Sequence, residues 1–173
     1  MRCDSRNVEL DPVKTLAACA AALVCASSAA AALPRTGVFL PGRSLGGIRL
    51  GESKAAVRAA LGSHGVCIGC ATSTWYFNYK PFNQRGLAVE FTRGQVSAVY
   101  TLWQPAGWRA AKGLQLGVVE AQLTTSTGPL VNVVCPGYDA RVADGPQARS
   151  VYYIVQGKLW GFGLLRVHAN PCR

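Results

Sequence analysis

The chain is poor in the residues that most enzymes use for catalysis. Its 173 residues include eight acidic residues, one methionine and two histidines, His64 and His168. The acids form no recognisable pair, neither histidine stands at a metal-ligand spacing, and no serine lies in a G-x-S-x-G motif. No phosphate-binding loop or dinucleotide-binding fingerprint is present either. The sequence therefore predicts a protein without a metal, a cofactor or a catalytic site. An enzyme whose site is assembled from dispersed residues is the alternative.

The first 32 residues consist of a short N-terminal extension and a predicted export signal. Lys14 precedes an apolar run of alanine, leucine, valine and cysteine, and small residues follow it. This order is typical of a secretory signal that is cleaved near Ala30–Ala32. Residues 1–12 contain more acids than bases, which does not suit a signal, so we predict Val13 as the true start. A retained membrane anchor and a lipoprotein signal at Cys19 are the alternatives.

Negative charge is scarce in the rest of the chain. Residues 33–173 hold 15 basic and five acidic residues, a net charge of +10. No other apolar stretch is long enough to span a membrane, so no stable span is expected after cleavage. A basic balance favours acidic partners, such as an anionic cell-wall polymer, an acidic protein surface or nucleic acid. Because the basic residues are scattered singly, a solvated basic surface is the competing interpretation.

One segment of the sequence occurs twice. Residues 46–62 read GGIRLGESKAAVRAALG, and residues 112–128 read KGLQLGVVEAQLTTSTG, at a constant offset of 66 positions. In each copy a short extended piece precedes a helix. Ser53 is a good N-cap for the first helix, whereas threonine and serine weaken the helix predicted at Val118–Thr127. Such self-similarity predicts two copies of one supersecondary unit.

Strand patterns follow each helix. Trp75, Phe77 and Tyr79 alternate with more polar residues, which is typical of a strand. Hairpins with two-residue turns are predicted at Arg93-Gly94 and at Gln156-Gly157. Plain alternation then places these residues of the two hairpins on the core face: Leu87, Val89, Phe91, Val96, Ala98 and Tyr100 in the first, and Tyr152, Ile154, Leu159 and Leu165 in the second.

These elements predict an α+β fold. Each copy consists of a short strand, a helix and antiparallel strands, and the two copies are expected to form a two-layer structure with the helices on one face of the sheet. The first unit is predicted at 33–103 and starts with a segment rich in proline and glycine. A linker at 104–111 joins it to the second unit at 112–173.

Both copies carry the pattern apolar–x–Leu–Gly–x–x–x–x–x–Val–x–x–x–Leu–Gly, the second in a looser form: Gly47–Gly62 and Gly113–Pro129. With the hairpins that follow, this pattern resembles the tandem units of the secreted β-lactamase-inhibitor proteins. It is also similar to the single unit of the small outer-membrane assembly lipoproteins of the BamE type. The Gly-Pro that often ends the family's helix is present as Gly128-Pro129, whereas the first copy has Gly62-Ser63.

The resemblance implies a non-enzymatic binding protein whose open sheet face meets another protein. It does not imply inhibition of a β-lactamase, because no motif in this sequence matches the contact residues of the inhibitors. A shared fold does not carry a shared function.

Four cysteines lie beyond the predicted signal: Cys67, Cys70, Cys135 and Cys172. An even number behind an export signal predicts disulfides. We favour the pairs Cys67–Cys70, which closes a tight loop, and Cys135–Cys172, which ties a long loop to the last residues. A redox CxxC and a zinc site are the alternatives, but the first lacks a helix start and the second lacks another close pair. The chain is thus expected to be secreted or to reside in the cell envelope.

A ring-rich sheet face is the predicted binding surface. In the second hairpin, alternation places a row of mostly aromatic residues on the side of the sheet that faces away from the predicted helices. Trp103 lies on the same side of the sheet, at the end of the first hairpin. Aromatic rings with arginine on an open face are typical of a protein-binding hot spot. The candidate binding residues are Tyr153, Trp160, Phe162, Arg166 and Trp103. The alternative is that these rings pack between the two copies or under residues 34–45.

The leading functional hypothesis is a secreted, non-enzymatic protein-interaction module of an inhibitor-like or envelope-associated kind. It would bind another protein through this aromatic open face. A basic binder of anionic cell-wall polymer or nucleic acid is the alternative, and its binding would weaken steeply with salt.

Overall fold

Most of the described chain is β-structure arranged around one large sheet. The computed structural model describes residues 37–65, 71, 73–80, 83–102, 105 and 107–173. The strands are β1 (Val38–Leu40), β2 (Ser44–Leu45), β3 (Thr74–Lys80), β4 (Asn83–Thr92), β5 (Gln95–Leu102), β6 (Arg109–Ala110), β7 (Val131–Cys135), β8 (Tyr138–Asp144), β9 (Arg149–Val155) and β10 (Lys158–Leu165). The helices are α1 (Lys54–Leu61), α2 (Glu120–Thr127) and a 3-10 turn at Ala111–Gly113.

Seven antiparallel strands form the main sheet in the order β3-β4-β5-β10-β9-β8-β7. A small sheet contains β1, which pairs antiparallel with β2 and parallel with β6. In the main sheet β5 pairs with β10, with Tyr100 opposite Gly163. The strands that follow α1 and those that follow α2 are therefore joined in one continuous sheet.

The two copies of the repeated segment make matching main-chain contacts. The Gly51 N–H donates to the Val96 carbonyl at 2.9 Å, and the Gly117 N–H donates to the Leu159 carbonyl at 2.7 Å. In both copies the piece before the helix thus lies against the strand that follows a hairpin turn. The repeat is therefore a repeat of structure as well as of sequence.

The predicted α+β two-layer fold is wrong. The structure is 49% strand and 15% helix, and the helices do not form a layer that packs on the sheet. α1 buries Val57 and Leu61, and α2 buries Leu123 alone. The physical reason is length, because the eight residues of each helix make about two turns, too few for a broad apolar stripe. The fold is mostly β.

The small sheet and the loops beside it supply most of the cover for one side of the main sheet, which we call the inner face. The strand residues that point to this side include Val89, Val99, Tyr152, Ile154, Phe162 and Leu164. The covering residues are Phe39, Leu45, Ile48, Trp108, Ala110 and Leu114. The Phe39 ring lies 5.1 Å from the Phe162 ring and 5.6 Å from the Tyr152 ring, measured between centroids. This larger core covers the central strands on that side of the sheet.

Both predicted hairpin turns are confirmed. Arg93-Gly94 has φ angles of 53° and 78°, and Gln156-Gly157 has φ angles of 50° and 72°. Positive φ at both central residues gives a turn whose twist matches that of the flanking strands. The N-cap predicted at Ser53 is also present, since its hydroxyl accepts the Ala56 N–H at 3.2 Å.

A β-bulge follows each turn and reverses the alternation of side chains. Ser97 of β5 and Trp160 of β10 are the extra residues at which the register with β4 and β9 shifts. An extra residue moves every later side chain of its strand to the other face. The predicted faces are therefore wrong for residues beyond the bulges, including Ala98, Tyr100, Phe162 and Leu165.

The opposite side of the main sheet, the outer face, carries a smaller core. Its buried residues are Ala88, Ala98, Tyr100, Cys135, Ala140, Val142, Val151, Tyr153 and Leu165. Residues 166–173, which we call the strap, run over this side, where Ala169 and Cys172 pack against the buried cluster. The predicted disulfide Cys135–Cys172 is confirmed and ties the strap to β7. Cys67 and Cys70 lie outside the described residues.

Candidate functional site

The predicted binding residues do not share one face. Phe162 is fully buried in the inner core, so it is removed from the predicted open face. Tyr153 lies on the outer face but is only 6% exposed. Trp160 and Arg166 are partly exposed. Trp103 lies outside the described residues.

Two glycines of β10 make room for Tyr153 on the outer face. A Cβ atom at Gly163 would lie 2.7 Å from the Tyr153 hydroxyl oxygen. A Cβ atom at Gly161 would lie 3.4 Å from the Tyr153 ring and 2.5 Å from Thr101 Oγ1. Thr101 is itself fixed, because its hydroxyl accepts the Phe162 N–H at 2.9 Å. The ring of Tyr153 therefore fills the space that larger side chains on β10 would occupy, an aromatic cover over strand glycines.

Four tyrosines and one carboxylate gather around this position. The Tyr138 ring packs edge-on against Tyr153, with the centroids 5.7 Å apart. Tyr100 is nearly buried, and Tyr76 and Tyr138 are half-buried against the same core. We call this set, which comprises Tyr76, Tyr100, Tyr138, Tyr153 and Glu90, the tyrosine cluster.

The strap places Arg173 on the tyrosine cluster. The Nε atom of Arg173 lies 3.0 Å from Glu90 Oε1, and its guanidinium lies 5.8 Å from the centroid of the Tyr100 ring. The Tyr138 hydroxyl is hydrogen-bonded to the main chain of Arg173. A carboxylate and aromatic rings thus hold a guanidinium group against the outer face, as in a cation–π contact supported by an ion pair.

Burial keeps the tyrosine hydroxyls neutral. Burial raises the pKa of Tyr100 far above its usual value, and the nearby Glu90 carboxylate raises this pKa further. Burial also raises the pKa of Tyr153. The Tyr153 hydroxyl is buried without a hydrogen-bond partner in the described part of the chain. Such a group costs about 1–3 kcal/mol, which the packing of the ring against the glycines must offset.

A second cluster, which the sequence did not predict, surrounds Trp75 of β3. His64 stacks on the Trp75 ring with the centroids 4.2 Å apart. Arg58 and Lys54 of α1 lie 5.1 Å and 5.5 Å from the same ring centroid. Burial lowers the pKa of His64, and the charges of Arg58 and Lys54 lower this pKa further. We call Lys54, Arg58 and His64 the basic cluster; the four-residue spacing of the first two on a helix was its one signal in the sequence.

The described residues lack both a metal-binding cluster and a membrane-spanning helix. They contain no group of three or more side chains that could hold a metal ion. Within the same residues, no helix has both the length and the apolar character needed to cross a membrane. The Cys135–Cys172 bond belongs to a class that forms and persists in oxidising compartments.

Comparison with known proteins identifies likenesses of fold. No family matches the chain, and no curated protein matches it. The structure is similar to that of YjgB, a DUF4309 family protein from Bacillus subtilis, with a TM-score of 0.50 and 18% identity over 66% of this chain and 78% of that one. An extracellular protein containing an SCP domain from Bacillus anthracis matches 68% of this chain and 44% of its own, with a TM-score of 0.46 and 8% identity.

At these identities the first likeness is one of fold alone, and the second carries no functional argument. This chain spans less than half of the Bacillus anthracis chain. Neither neighbour bears on the resemblance to the β-lactamase-inhibitor proteins or the BamE-type lipoproteins, which stays a prediction.

Proposed function

We propose that this protein is an exported, non-enzymatic protein-interaction module that binds another protein through its outer sheet face. One observation carries the proposal. The outer face presents partly exposed aromatic side chains, including Tyr76, Tyr138 and Trp160, around a buried tyrosine, whereas the small sheet and its loops cover the central strands of the inner face. Within the described residues, the strap is the segment that runs over this surface.

The chemistry of the outer face suits a protein partner. Tyrosine, tryptophan and arginine are enriched at the centres of protein interfaces because they combine large apolar area with a polar group. The outer face holds tyrosines and Trp160 together with the Glu90–Arg173 ion pair. The secretory pattern of residues 1–32 and the disulfide support a location in the cell envelope or outside the cell.

Replacing Trp160 with alanine should weaken capture of the partner at least tenfold, because it removes an aromatic side chain from the outer face. The measurement is recovery of the partner from the culture medium of the source organism on the immobilised protein, quantified by mass spectrometry. The matched control is Val119→Ala at the start of α2, since Val119 is 47% exposed and lies outside the outer face. Equal recovery with both variants, each shown to be folded, would refute the proposal.

The basic cluster favours a second candidate function, the binding of an anionic polymer. The side chains of the basic cluster converge on the Trp75 ring. The groups that shift the pKa of His64 include no carboxylate. Lys54→Gln/Arg58→Gln is expected to elute from an anionic matrix at clearly lower salt than Arg93→Gln/Lys158→Gln, which removes the same charge elsewhere. Identical elution of the two double variants would mean that net charge alone determines retention.

A further inference from the structure

An open cavity lies at the inner side of the sheet, between the turn that joins β1 to β2 and the turn that joins β8 to β9. Its volume is about 490 Å³, which is in the range of small-molecule sites. Its apolar walls are Leu40, Leu50, Ala148 and Leu164, and its polar walls include Ser44 and Gln147. Because Ala148 and Leu164 are buried core residues, the floor of the cavity is apolar.

Two arginines line this cavity. The side chains of Arg43 and Arg49 are exposed, and neither forms an ion pair or hydrogen bond with another described residue. Three other arginines are each paired with a carboxylate: Arg141, Arg149 and Arg173. The lining residues of the cavity include no acid. A guanidinium fork binds a carboxylate through two parallel hydrogen bonds, so two unpaired guanidinium groups favour an anionic ligand.

Hydrogen bonds fix the turn that carries Arg43. The Arg43 N–H donates to the Leu40 carbonyl at 2.9 Å. The Gly42 N–H donates to the Ser150 hydroxyl at 2.8 Å, which anchors the turn to β9 of the main sheet. A wall that is ordered before a ligand arrives reduces the entropy lost on binding.

We propose that this cavity binds a small organic anion in which a carboxylate is attached to an apolar chain or ring. The carboxylate contacts the guanidinium groups of Arg43 and Arg49. The apolar part lies against the apolar walls, which are Leu40, Leu50, Ala148 and Leu164. The inner-side cavity is separate from the outer-face surface proposed for protein binding, so either proposal can fail without the other.

Octanoate is the probe that tests this site, with acetate and 1-octanol as comparison ligands, by isothermal titration calorimetry at low salt. Octanoate is expected to bind at least tenfold more tightly than either comparison ligand, because only octanoate combines the charge with the apolar chain. The variant Arg43→Gln/Arg49→Gln should lose at least tenfold of the affinity for octanoate.

The charge-matched control is Arg93→Gln/Lys158→Gln, at the tips of the two hairpins. Glutamine is already present at the turn position of Gln156 that corresponds to Arg93, so this exchange suits the backbone there. A second variant, Leu40→Ala, alters a side chain that is 41% exposed and should weaken octanoate but not acetate. Equal binding of acetate or octanol, or an equal loss in the control, would overturn the proposal.

Discussion

Replacing Phe162 with alanine is expected to lower the free energy of unfolding by about 3–5 kcal/mol. The Phe162 side chain is fully buried on the inner face, and its ring centroid lies 5.1 Å from that of Phe39 and 6.1 Å from that of Tyr152. Removing the ring leaves a cavity among side chains that the sheet holds in place. Urea unfolding followed by circular dichroism measures the change.

The control for this prediction is Trp160→Ala, two residues earlier on the same strand. Trp160 is the extra residue of the bulge and is partly exposed, so its loss should cost less than half as much as the loss of Phe162. Without the bulge, plain alternation would put both rings on the same open face. A loss below about 1 kcal/mol for Phe162→Ala would support that arrangement and contradict the structure.

Removing the disulfide with Cys135→Ser/Cys172→Ser is expected to lower the free energy of unfolding by about 2–4 kcal/mol. The two cysteines are 37 residues apart in the sequence, so the bond restricts a long loop of the unfolded chain. It also ties the strap to β7, beside the tyrosine cluster. The measurement is urea unfolding of the double variant and of the wild type with and without a reductant.

The outcome of that experiment has two parts. In the presence of the reductant, the wild-type protein and the double variant should unfold at the same urea concentration, because the reductant also opens the predicted Cys67–Cys70 bond in both. An unchanged midpoint in the double variant would show that the strap is held without the bond, through contacts such as the hydrogen bond from Arg149 to the Ala169 carbonyl at 2.8 Å.

Local signals in the sequence identified the local features correctly. Arg93-Gly94 and Gln156-Gly157 stand between strand patterns and form two-residue turns, because residues at positive φ dominate such turns. Ser53 precedes a helical pattern and caps it. Cys135 and Cys172 pair as predicted. Each of these features depends on a few neighbouring residues or on the small number of available cysteines.

Features that depend on distant contacts were not predictable in this way. The residues next to Ser97 and Trp160 do not predict a bulge. Each bulge nevertheless moves all later side chains of its strand to the other face. The repeated helical spacing was real, but helices of eight residues could not form the predicted layer. The parallel pairing of β1 with β6, and the contact of Arg173 with Glu90, join segments far apart in the sequence.

The bulge of β10 also explains why the predicted binding residues do not share one face. Tyr153 kept its predicted side because β9 contains no bulge before it, whereas Phe162 follows the bulge of β10 and turned inward. The outer face also carries Glu90 beside Tyr100. The centre of the outer face is therefore formed by the tyrosine cluster and not by Phe162.

The bulge at Trp160 turns the Phe162 ring into the inner core and leaves Tyr153 on the outer face. Nuclear Overhauser effects from the Phe162 ring protons test this claim most directly. We predict strong effects to the ring of Phe39, whose centroid is 5.1 Å away, and to the ring of Tyr152. Effects to the rings of Tyr153 and Tyr138, with none to Phe39, would place Phe162 on the outer face and contradict the account.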